Sequence, residues 1–169
     1  AFSDPGTYWR GSIWLPVAYM GVKSLEKFGR YDLAAKLSVD ILRAQVLCYR
    51  EFEPHTIWEC YSPTEHKPGT AKAGQFSRRD FCGWSALGPI SLLMENIVGV
   101  HRISALEGVV EWLPGVPEGR LGLKNLRFGG NVVDLVREAD GTVRVRADKP
   151  FKLVYNDVVH DCPAGKTTF

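Results

Sequence analysis

The sequence predicts a mainly α chain with an appended antiparallel β module. Three observations carry this. Apolar residues recur at three- and four-residue steps through much of residues 1–98, which is the spacing of a buried helical stripe. From about residue 99 onward the pattern becomes two-residue alternation, broken by Gly, Pro and Asp-Gly turns. Between two helical stretches lies Pro54 to Gln75, punctuated by Pro54, Pro63, Pro68, Gly69 and Gly74. A connection that long inside a domain is usually functional or disordered, and its Trp58, Glu59, Tyr61 and His66 speak against disorder.

Composition sets the outer limits. A chain of 169 residues can bury one good core or two small ones. Its apolar fraction of 45% and charged fraction of 24% are those of an ordinary globular protein. A net charge of +2, without a Lys/Arg run, gives no argument for a nucleic-acid partner or an acidic membrane. No apolar run approaches the length of a membrane span. The four cysteines show no CxxC spacing and the four histidines no HExxH, so neither a metal site nor a cofactor is expected. Cys60 and Cys82 could meet in space, but buried free thiols are the default.

Taken in order, Gly6 to Trp14 sets two aromatics and an arginine between glycines. Ser12 can cap the helix that follows, with Pro16 tolerated in its first turn. Trp14, Ala18, Val22, Leu25 and Phe28 form its stripe, and Gly29 ends it. Tyr8, Trp9 and Arg10 therefore sit at a helix N-terminus, where backbone N–H groups face whatever lies opposite. The same loop can equally be aromatic packing with Arg10 bonding carbonyls. Tyr31 to about Phe52 is a second helix, with Leu33, Leu37, Ile41, Ala44 and Cys48 on one face, joined to the first as a hairpin.

Phe52 to Pro63 places the Glu59 carboxylate between Trp58 and Tyr61. Aromatic faces pack on pyranose rings and a carboxylate can activate water, so this is the chemistry of a sugar-cleaving site. A gap-filling loop with a solvated Glu59 fits the same residues. Phe76 to Val98 is the third helical region, capped by Ser77 or Asp80 and kinked at Pro89, with Phe81, Trp84, Leu87, Ile90, Leu93 and Ile97 on one side. The change of domain falls near residues 99–108, so the division is 1–98 and 99–169. In the second part, Val109 to Pro114, Asn131 to Glu138, Thr142 to Ala147 and Phe151 to Tyr155 read as strands. Ala139-Asp140-Gly141 closes a hairpin, and Val143 and Val145 alternate with Arg144 and Arg146.

Three segments, in this order, resemble glycoside hydrolase family 63 and its trehalase-like relatives. Tyr8-Trp9-Arg10-Gly11-Ser12-Ile13-Trp14 is similar to their aromatic-Arg-Gly segment, and Trp58-Glu59-Cys60-Tyr61 to their second-carboxylate segment. Phe81-Cys82-Gly83-Trp84-Ser85-Ala86-Leu87 is similar to the start of their last inner helix. Leu123 to Gly130 more loosely resembles a β module appended to some bacterial relatives. The resemblance implies the C-terminal part of an (α/α)6 toroid, and an inverting glycosidase acting on a glucoside or mannoside. It places the general base at Glu59. It places the sugar-binding residues at Tyr8, Trp9, Arg10, Gly11, Trp14, His55, Trp58, Tyr61 and Trp84. The partners it implies are a carbohydrate substrate and the remainder of the barrel, from the same parent chain or another.

One departure limits the implication. The family's general acid is an Asp from an earlier helix, and no segment here matches its surroundings; Asp4, in the loop before Tyr8, is not that residue. The expectation is a C-terminal portion that is inactive alone. Two alternatives remain open. One is a different toroid enzyme, such as a sugar epimerase, phosphorylase or lyase, for which His55 and His66 would have to act as acid and base. The other is a carbohydrate-binding or structural module without catalysis.

Overall fold

Two α-helices, one short 3-10/π segment and eight strands make up the regular structure of the computed structural model, which describes residues 7–71 and 74–169; Asp4 lies outside them. The chain divides between Leu93 and Met94 into a helical unit and a β unit.

Helix α1 spans Leu15–Lys27 and has Pro in its first turn, where the missing N–H needs no partner. Trp14, not Ser12, is its N-cap residue. The helix stops in a Schellman turn. Gly29 adopts φ +71°, its N–H returns to the Glu26 carbonyl at 2.8 Å, and the Arg30 N–H reaches the Leu25 carbonyl at 2.8 Å. Helix α2 comes at once over Tyr31–Glu51. Its buried face is Ala34, Ser38, Gln45 and Cys48, with Ile41 packed beside them. The expected stripe is off by one position in its first half, where Leu33 and Leu37 are exposed, and holds at Ile41 and Cys48. Small residues face α1 instead, and Ala34 meets Val22 and Leu92 directly.

The mainly α expectation, and with it the (α/α)6 toroid part, is corrected here. Phe76 to Gly83 forms no helix. A single 3-10 turn, Trp84–Leu87, and a π-helical segment, Gly88–Val98, come after it. Local bonds explain why a helix does not start at Ser77 or Asp80. The Ser77 hydroxyl donates to the Cys60 carbonyl at 3.0 Å, and Asp80 sits at φ +57° accepting from the Thr56 hydroxyl at 2.8 Å. Gly88 allows close approach, since a Cβ there would lie 1.8 Å from Gln45 Oε1 and would displace that side chain. The wider π winding buries Gly88, Leu92 and Asn96 at four-residue steps, and leaves Ile90 and Leu93 exposed. With one helical hairpin and two four-stranded sheets, the fold is mixed α and β.

The β unit comprises β1 (Val100–Ser104), β2 (Val109–Trp112), β3 (Leu121–Phe128), β4 (Asn131–Arg137), β5 (Val143–Ala147), β6 (Phe151–Tyr155), β7 (Val158–Cys162) and β8 (Gly165–Thr168). Their sheet orders are β1-β2-β6-β7 and β3-β4-β5-β8. All pairs are antiparallel except β2 with β6, which is parallel, so the purely antiparallel expectation is also corrected. Val110, Trp112 and Leu153 of one sheet and Val133, Leu135 and Val143 of the other form a single core, as in a sandwich. Trp112 is buried because its indole N–H has a partner, the Val98 carbonyl at 2.7 Å. Along β5, Val143 and Val145 are buried and Arg144 and Arg146 exposed, as the alternation predicts.

The cysteines are free thiols; Cys48, Cys60 and Cys162 are buried and Cys82 is exposed. Burial, and then the Glu51 carboxylate, push the Cys48 thiol up to about 12 from its ordinary 9.0. The folded state therefore holds this proton more tightly than the unfolded chain does. Its contribution to stability is complete below pH 9.0 and is lost as pH rises toward about 12. Denaturant melts across that range should show stability falling, and Cys48→Ala should flatten the fall. An unchanged slope in the variant would contradict the assignment.

Candidate functional site

Glu59 is fixed from three directions. Its N–H donates to the Arg78 carbonyl at 2.8 Å. Its carbonyl accepts from Trp84 Nε1 at 3.1 Å and from the Ser85 hydroxyl at 3.0 Å. The start of the 3-10 turn therefore grips the backbone of the carboxylate-bearing residue. Neighbouring residues extend the clamp. Tyr61 and Ile13 exchange N–H···O bonds of 3.0 and 2.8 Å, and the Gly69 N–H reaches the Cys60 carbonyl at 2.9 Å. Gly69 must be glycine, because a Cβ there would lie 2.6 Å from Cys60 Sγ and 2.9 Å from the Ser12 hydroxyl.

The Glu59 carboxylate itself is half-buried. Oε1 accepts from the Tyr8 hydroxyl at 3.2 Å, and Oε2 lies 3.5 Å from the Arg78 amide nitrogen. Desolvation first, then the Glu59 charge, raise the Tyr8 phenol above its usual range, so it remains a donor to the carboxylate at neutral pH. Tyr8 is the strained residue of the site, at φ +42°. Three bonds hold it there. Its N–H donates to the Thr70 carbonyl at 2.7 Å, and its carbonyl accepts from the Ser12 N–H and from Trp14 Nε1, each at 3.1 Å.

Around the carboxylate the aromatic rings interlock. Trp9 and Trp14 stack with centroids 3.8 Å apart and planes at 4°. Tyr8 and Trp84 meet the edges of Trp14 at 5.0 and 5.8 Å, and Phe81 backs Trp84 at 4.8 Å. Trp14 is buried, whereas Trp9 is 65% and Trp84 37% exposed. Trp14 is thus the spine of a platform whose outer surface belongs to Trp9 and Trp84. An exposed, preorganised indole face beside a carboxylate can take the apolar face of a pyranose and hold water against the acid.

The sequence-predicted residues divide accordingly. Tyr8 and Trp84 bond Glu59 directly, and Trp9 and Trp14 join them through ring contacts. Gly11 supplies the bend between Trp9 and Trp14 at φ +127°, and Arg10 is exposed in the same loop. Trp58 and Tyr61 are buried among Leu15 and Cys48, so their rings serve the core, and the backbone N–H of Trp58 donates to the Tyr61 hydroxyl at 3.1 Å. His55 is turned to other partners, with Nδ1 2.6 Å from the Tyr49 carbonyl and Nε2 3.0 Å from Glu53. The roles of Ser85, Ser77 and Arg78 beside Glu59 and Cys60 were not foreseen; Ser77 was expected only as a helix cap. Ser85 had a usable signal, since it directly follows Trp84. Among the described residues no group of His, Cys, Asp and Glu could hold a metal ion. No helix among them is long and apolar enough to cross a membrane.

Comparison with known proteins gives an independent view of this segment. The glycosyl hydrolase family 63 C-terminal domain matches residues 3–96. An uncharacterized protein of Borreliella burgdorferi is 28% identical over 116 residues, which is 66% of this chain and 24% of that protein. Alpha-glucosidase 2 of Arabidopsis thaliana is 34% identical over 96 residues, 53% of this chain and 11% of that protein. The chain thus spans about a quarter or less of these relatives' lengths. No solved structure matches.

The grip on the Glu59 carbonyl is open to a double-mutant test. Ser85→Ala and Trp84→Phe should each cost about 1 kcal/mol of stability. The pair should cost at least about 0.5 kcal/mol more than the sum, because the carbonyl then loses both donors. Additive losses in denaturant melts would show that the two bonds do not converge on one group.

Proposed function

The chain belongs to glycosyl hydrolase family 63, of whose C-terminal domain residues 3–96 carry the match, and we propose that Glu59 is the general base of an inverting α-glucosidase. Alpha-glucosidase 2 is one relative over this segment, which supports an α-glucoside as substrate. The observation that carries the proposal is the position of Glu59, a half-buried carboxylate with a fixed backbone beside the exposed faces of Trp9 and Trp84.

In this reading the chemistry proceeds in one displacement. The sugar ring lies on the indole platform. Glu59 takes a proton from a water on one face of the anomeric carbon as the glycosidic bond breaks on the other. The Tyr8 hydroxyl steers Oε1, and Oε2, approached only by the Arg78 amide at 3.5 Å, takes the proton of the water. Inversion requires a second carboxyl, protonated, about 6.5–9.5 Å away to leave room for that water. We assign it to residues outside this sequence, and with it the chain's lack of turnover by itself. Those residues would also cover apolar side chains that the helical hairpin exposes, among them Val17, Met20, Leu37 and Val46.

The test is Glu59→Gln in an active enzyme carrying this sequence, assayed on an α-glucoside. The expected loss in kcat is about 10²–10⁴-fold, with KM changed only slightly, because the platform is untouched. Retention of kcat would remove Glu59 from the chemistry.

A further inference from the structure

We propose that the outer face of the second sheet binds a small, multiply charged oxyanion of the phosphate type. The site lies wholly within the β unit and is independent of the glycosidase reading. Strand register builds it. Arg144 of β5 stands opposite Val136 and Thr168, and Arg146 stands opposite Asp134 and Lys166, so these side chains share the face turned away from the core. The face holds a shallow, open cleft of about 280 Å³.

One carboxylate organises the cleft. Glu138 accepts from Arg120 Nε at 2.9 Å through Oε2, and its Oε1 lies 3.4 Å from Arg144 Nε. Two guanidinium groups are thereby set side by side on a half-buried anchor. Each is met through its inner nitrogen, which leaves the terminal N–H groups of both able to donate to an external acceptor. A guanidinium fork matches the geometry of phosphate oxygens.

Charge runs the same way. Arg120, Lys124, Arg144, Arg146 and Lys166 line the cleft against only Asp134 and Glu138, a surplus of three positive charges in a chain whose total is +2. Arg146 is flanked by Asp134 at 3.8 Å and by Asp148 at 3.7 Å, whereas Lys124 and Lys166 have no carboxylate partner among the described residues. Only Val136, Val145, Thr167 and Thr168 complete the lining. With no aromatic ring to stack a base or a neutral sugar, recognition falls to the anion itself. A cleft at the lower end of ligand-site volumes suits a small ligand.

Calorimetric titration of the intact chain with inorganic pyrophosphate at low ionic strength tests this, with citrate as a carboxylate of comparable charge. Saturable binding is expected, weakening as salt is added. Arg144→Gln should weaken it about tenfold or more, and Arg120→Gln with Arg144→Gln should abolish it. Arg102→Gln, which alters an arginine of β1 paired with Glu107 and Glu111, should leave it unchanged. The substituted side chains are exposed, so unchanged thermal unfolding is the check on the fold. Absence of saturable binding, binding that survives the double change, or tighter binding of citrate would overturn the proposal.

Discussion

The carbonyl oxygen of Glu59 is the joint of the helical unit. It accepts from both Trp84 and Ser85, residues at the start of the 3-10 turn. Through that joint, two segments 25 and 26 positions apart in sequence are locked together. The neighbouring links depend on it. Ser77 grips Cys60, Tyr61 pairs with Ile13, and Gly69 lies against Cys60 where no larger residue fits. A loop that reads as irregular is therefore tied at several points along its backbone. Its backbone groups find partners in side chains and in other loops in place of a helix or sheet ladder.

Burial sorts the aromatic residues into two kinds. Trp14, Trp58 and Tyr61 are inside and set the spacing between α1, α2 and the loop. Trp9 and Trp84 are outside and present indole faces around the carboxylate. The same arrangement stores backbone strain at Tyr8, whose hydroxyl is the direct side-chain partner of Glu59. Strain located on the residue that orients the acid is the pattern of a preorganised site.

The sequence was most informative where local rules act alone. The Gly29 stop, the alternation of β5 and the hairpin between β4 and β5 are each set by one or two residues and their neighbours. It was misleading where tertiary contacts choose the outcome. Phe76 to Val98 has helical periodicity, yet Ser77 and Asp80 are taken by long-range bonds, and the Gln45 side chain occupies the space a Cβ at Gly88 would need. The first part becomes irregular and the second part π-helical. Strands β1, β3, β7 and β8 carry Gly, Lys, Asn, His or Asp within them, and their pairing partners, not their composition, make them strands. For the site, Glu59 and the Tyr8–Trp9 loop were legible through the order of their motifs. Which rings face outward was not, because Trp58 and Trp9 have the same chemistry and differ only in what packs over them.

A crystal structure of the chain soaked with a methyl α-glucoside would test the central claim most directly. The pyranose should lie against the outer face of Trp9 or Trp84, with its anomeric carbon turned toward the Glu59 carboxylate and a water between them. A sugar bound elsewhere, with Glu59 and the indole faces left to solvent, would contradict it.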